Sequence, residues 1–194
     1  MKNYLPLAGS ILCLLLSSCV ATSENPLSSP ETAQPDPKLV GTWHEKCDAD
    51  ETFEFTVKDV HWMHVEDRKK DKPAEFYDLF ITVIDGNRFL NVRHVGLDEQ
   101  GHPFKKEYFV MRYEVTDHVF STWMLDQDKA AEAVRSRKLK GRVHQNQSTV
   151  GNPPHPDVDV FLQDSGANVA KFIHDNGPRA LFTDKPSEMV RVKR

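Results

Sequence analysis

Ile84-Asp-Gly-Asn-Arg-Phe-Leu-Asn-Val-Arg-His-Val95 is the stretch whose reading decides the fold. Asp85-Gly86 suits the left-handed backbone of the tightest hairpin turn, and both sides carry β-branched and aromatic residues. The run before the turn, residues 76–84, is apolar and aromatic; the run after it mixes Phe89, Leu90 and Val92 with polar residues. Two antiparallel strands joined by a two-residue loop are the expectation, and the same grammar repeats outward in both directions.

Upstream, Thr52-Phe-Glu-Phe-Thr-Val57 alternates, which puts Phe53, Phe55 and Val57 on one face of a strand. Lys58-Asp59 is a turn candidate leading to a strand over 60–65, and Arg68-Lys69-Lys70-Asp71-Lys72 is a basic, solvated hairpin loop. Downstream, 96–101 is a loop, and 107–115 alternates with Phe109, Met111, Tyr113 and Val115 in line. Thr116-Asp117 turns into a strand over 118–125. Strands also fit 158–162 and 189–193, the latter closing the sheet. Two helices are expected in the C-terminal half. The first covers 129–139, capped by Asp128, with a thin apolar stripe that suits a surface position. The second is capped by Ser165, has Val169, Phe172 and Ile173 on one face, and stops at Gly177-Pro178. Residues 145–156 read as a long polar loop. The fold class is therefore mainly β (α+β): an antiparallel meander closed into a barrel or half-barrel, with two short helices.

The N-terminus carries a different message. Lys2 precedes an apolar run over 5–16, too short to cross a bilayer, and Ser17 and Ser18 follow. Leu16-Ser17-Ser18-Cys19 resembles the bacterial lipobox. That resemblance implies that 1–18 is a signal peptide and that Cys19 becomes the acylated first residue of the mature chain. An ordinary secretory signal is the alternative. Val20, where an inner-membrane retention signal has Asp, implies the outer membrane with the domain facing the periplasm; the inner membrane or cell surface stays open. Residues 20–37 are rich in Ser, Thr, Pro and acidic side chains, so 19–37 is expected to be a lipidated flexible tether and 38–194 a single domain. With Cys13 in the signal and Cys19 acylated, Cys47 is left as a free thiol, an intermolecular pair or a half-buried hydrophobe.

Leu39-Val-Gly-Thr-Trp43 resembles the Gly-x-Trp opening of lipocalins. The order of elements from 41 to 194 resembles small lipocalin-like bacterial lipoproteins. The resemblance implies a barrel end built on Gly41 and Trp43, with a late basic side chain, Arg191 or else Arg112, stacked over the indole. Inward Phe53, Phe55, Phe80, Phe109 and Tyr113 would line a site for an apolar small molecule or lipid, or would simply fill a solid core. In the second case the chain is an envelope protein–protein interaction module, using residues 145–156 or a strand edge.

Other chemistry finds little support. The chain has 25 Lys and Arg against 29 Asp and Glu, a net charge of −4, without the basic footprint of nucleic-acid binding. His61 and His64 stand three apart, which on a strand points them to opposite faces. His44 and Cys47 form no metal-ligand spacing, so neither metal nor other cofactor is expected. Asp164-Ser165-Gly166 is explained by helix capping. A catalytic reading would need an acid/base pair buried together in a cleft.

Overall fold

The computed structural model describes residues 21–46, 48–97, 101–146 and 157–193. Eight antiparallel strands form a closed barrel: β2 (Gly41–Glu45), β3 (Asp48–Val57), β4 (Met63–Lys69), β5 (Glu75–Ile84), β6 (Asn87–Val95), β7 (Phe109–Val115), β8 (Val119–Met124) and β11 (Ser187–Arg191). The first seven run as a meander. β11 pairs with both β8 and β2 and closes the wall. The hairpin at Asp85-Gly86 is as expected. Ile84 faces Asn87 across a two-residue loop, and both loop residues have positive φ, 51° and 77°.

A second layer lies outside the barrel. β1 (Thr22–Ser23) runs parallel to β10 (Asp157–Leu162), which pairs with β9 (Gly141–Asn146). α1 (Gln127–Arg135) and α2 (Gly166–Asn176) complete the layer. Hydrophobic burial therefore has two centres. Inside the barrel are Leu39, Trp43, Phe55, Met63, Leu79, Leu90 and Phe120. Between the barrel's outer face and the second layer lie Leu27, Phe89, Val110, Leu162, Ile173 and Phe182. At about 25 cal/mol per Å² of apolar surface removed from water, both layers contribute to holding the barrel shut.

Three expectations are corrected. Residues 21–37 are not a tether: Ala21 and Ser23 are at most 1% exposed, and Leu27 and Ala33 are buried. The segment has few apolar residues, but they fall where the barrel's outer face needs covering, and polar groups finish the fit. Leu27 N–H donates to the Asn91 carboxamide at 2.7 Å, Ser28 and Thr82 hydroxyls meet at 2.6 Å, and His61 Nδ1 lies 3.0 Å from the Ala33 carbonyl. A Cβ on Gly166 would sit 1.8 Å from the Pro26 carbonyl oxygen, so that glycine makes room for the segment. The second correction concerns α1, which starts earlier than expected: Asp126, not Asp128, caps it by accepting from Lys129 N–H at 3.1 Å. It is also not a surface helix. Ala130, Ala131 and Ala133 are buried, because small side chains let the helix backbone approach closely. The third is the strand β9, which occupies part of the expected loop. α2 meets its expectation, with Ser165 Oγ accepting from Asn168 N–H at 3.3 Å and Gly177 as C-cap.

Candidate functional site

One end of the barrel is sealed. The Trp43 indole N–H donates to the Leu39 carbonyl at 2.8 Å, and the ring packs against Phe120. The Arg191 guanidinium lies 4.1 Å from the indole centroid. It donates to the carbonyls of Asp117, Val40 and Lys38 at 2.8, 2.6 and 2.5 Å. Gly41 has φ +129°, and a Cβ there would lie 2.6 Å from Arg191 Nη1. Gly41, Trp43 and Arg191 thus form the expected barrel end. Arg112 stacks elsewhere, on Trp123 on the outer face. Below the indole, the Tyr113 hydroxyl donates to Asp36 at 3.1 Å, and Arg88 pairs with the same carboxylate at 2.6 Å. Burial, then the Asp36 charge, pushes the Tyr113 phenol well above its usual range, so it stays a donor.

Above this floor lies a cavity of about 430 Å³, within the size range of small-molecule pockets, about 300–1000 Å³. Phe53, Phe55 and Phe109 line it as expected, with Leu79, Leu90, Met111 and Met189. Asp126, Gln127, Asp128, Thr183 and Lys185, around the start of α1, form a polar rim. Tyr113 belongs to the barrel core beneath, without lining the cavity. Phe80 is a correction: it points outward, where Trp62 and Tyr108 pack on its edges, with ring centroids at 4.9 and 6.4 Å. β5 is buried on both faces, the outward one carrying Asp78 and Thr82 beside Phe80, because the 21–37 segment and its neighbours cover it. The inward set is Tyr77, Leu79 and Ile81.

The open end also gathers polar side chains that the motif reading passed over. Strand alternation turns Glu51, Asp67 and Glu75 inward, next to Phe53, Val65 and Tyr77. Glu51 pairs with Lys69 at 2.8 Å. The Tyr77 hydroxyl donates to Glu75 at 2.6 Å, and His94 Nε2 is 3.8 Å from the same carboxylate. His94 is stacked between Tyr77 and Phe104. Asp67 is 8% exposed, and its Oδ1 is buried without a hydrogen-bond partner. Burial, reinforced by the charges of Glu51 and Glu75, pushes its carboxyl up from 3.8 to about 7. Burial likewise lowers His94, against the pull of Glu75, and raises the Tyr77 phenol. The signal was present in the sequence: Glu51 shares parity with Phe53 and Phe55, and Asp67 shares it with Val65.

The remaining candidates have structural partners. His64 contacts Asp78 at 3.1 Å, along with Lys58 and Arg93 at 2.6 and 3.2 Å. The His44 ring lies 2.7 Å from the Glu45 carbonyl. Cys19, Cys47 and residues 147–156 lie outside the described residues. Among the described residues no helix is long and apolar enough to cross a membrane. No family model matches the chain, and no curated protein or solved structure matches it either.

Proposed function

We propose that this protein is a non-catalytic binding module of the bacterial envelope, which takes an apolar small molecule or lipid chain into its barrel. The observation that carries the reading is the cavity of about 430 Å³, apolar in its walls, sealed at the Trp43 end and polar at its rim. An eight-stranded barrel is wide enough either to be filled by its own side chains or to hold one small ligand. Here the inward aromatics leave space. The interaction-module alternative would use residues 145–156 or a strand edge; residues 147–156 lie outside the described residues, and β9 stands at the edge of the outer sheet.

The lipobox supports acylation of Cys19 and an outer-membrane location facing the periplasm, as read from the sequence. Uptake of labelled palmitate by the wild type, with none by Cys19→Ala, is the expected result for that anchor. The binding reading is tested by native mass spectrometry of the full chain released from membranes. A non-covalent apolar adduct should be present, and Met111→Trp, which fills the cavity, should lose it. A wild-type chain that carries no adduct and takes up no N-phenyl-1-naphthylamine would sink the proposal.

A further inference from the structure

The wall of the cavity ends in a layer of polar side chains. One inward step beyond the lining residues Phe53, Val65, Tyr77 and Val92, toward the open end, stand Glu51, Asp67, Glu75 and His94 on four successive strands. The layer is shut. Glu51 and Asp67 are 7% and 8% exposed, Glu51 is paired with Lys69 at 2.8 Å, and Glu75 accepts from the Tyr77 hydroxyl at 2.6 Å. The rings of Tyr77, His94 and Phe104 cover one another on the β5–β6 side. The weak member is Asp67. In the ladders it stands between Phe53 and Glu75, its Oδ1 is buried without a hydrogen-bond partner, and Glu51 and Glu75 repel its charge. The β4–β5 ladder ends at the Asp67–Glu75 pair, before the turn over 70–74, so the strand ends can part there while the pairs nearer Met63 hold.

On the binding reading above, we propose that this layer is a proton-operated seal: with Asp67 protonated it holds the ends of β4 and β5 together beside the cavity, and with Asp67 ionised those ends part and the ligand exchanges faster. A neutral carboxyl leaves no charge to be hydrated and removes two repulsions. An ionised one gains water, and distance from Glu51 and Glu75, when the strand ends open. Val65 and Tyr77, next along the same strands, carry the motion to the cavity wall.

The groups facing Asp67 are Glu51 on β3, Lys69 on its own strand, Lys72 in the turn after it, and Glu75 and Tyr77 on β5, with His94 on β6 3.8 Å from Glu75. The carboxyl titrates at about 7 in the closed layer and near its ordinary 3.8 once open to water. Opening therefore releases a proton between those values, grows more favourable as pH rises through that window, and levels off above it. The experiment is amide hydrogen exchange on the full chain carrying Cys19→Ser, at about pH 5 and about pH 7.5, with rates corrected for the intrinsic chemistry of exchange. Protection of residues 65–69 and 75–77 should fall at least about tenfold at the higher pH, while that of 113–115 and 119–121, near the closed end, should change by less than about threefold. Asp67→Asn should hold the first group within about threefold across the same range. Protection that does not respond to pH, that falls equally at both ends, or that falls equally in Asp67→Asn overturns the seal. Release of N-phenyl-1-naphthylamine should quicken at least about fivefold at the higher pH, and a single rate at both values overturns the gating role. Failure to bind that probe overturns the cavity reading, and the exchange data then decide the seal on their own.

Discussion

The two ends of this barrel are built from opposite chemical policies. At the closed end the polar side chains of Trp43, Tyr113, Asp36 and Arg191 are all partnered. Trp43 and Tyr113 donate inward, and Arg191 spends its guanidinium on three carbonyls. Toward the open end three carboxylates share one inner surface, one buried oxygen has no donor, and the wall encloses an apolar cavity. The contrast separates a region whose polar groups stabilise the fold from one where a buried, unpartnered carboxylate costs stability.

The comparison breaks most visibly at Trp43. Trp43→Ala removes the plug of the closed end and should cost about 3–5 kcal/mol in urea unfolding. A loss below about 1 kcal/mol would mean that the end is not the stability centre. Asp36→Ala leaves the Tyr113 hydroxyl and Arg88 without their shared acceptor and should cost about 1–3 kcal/mol by the same measurement. The open end should respond with the opposite sign. The Asp67 carboxyl titrates at about 7 in the fold and at 3.8 ordinarily, so between those values the folded chain binds more protons and loses stability as pH rises. Asp67→Asn removes that loss. Its melting temperature should exceed wild type by about 3–6 °C at pH 8 and match it at pH 4. An equal gain at both pH values would assign the effect to packing instead of charge. The smallest effect is expected at Phe80: Phe80→Leu should leave N-phenyl-1-naphthylamine affinity within about twofold of wild type, because the ring lies outside the barrel.

The barrel was legible because its turns are local. Asp85-Gly86 and the alternation of Phe53, Phe55, Phe109 and Tyr113 need nothing beyond neighbours in sequence. Phe80 was misplaced because parity carries information only where one strand face is wet. β5 is covered on both sides, so Leu79 and Phe80 look alike. The 21–37 segment was misread for a related reason. Its composition predicts disorder, whereas its order comes from partners remote in sequence, such as Asn91, Thr82 and Asp164. The carboxylates at the mouth were visible by parity, but no spacing motif marks three acids on three strands.

The docking of β1 also changes the geometry of attachment. Ser23 pairs with Tyr108, the residue before Phe109 on the cavity wall, and Ala21 is fully buried beside it. From Cys19 to Ala21 the chain can extend at most about 7 Å. Antiparallel to the start of β7, the segment runs from Ser23 at Tyr108 down the barrel wall to Ala21, so a group carried just before Ala21 would sit against the barrel's flank and not at the end of a long leash.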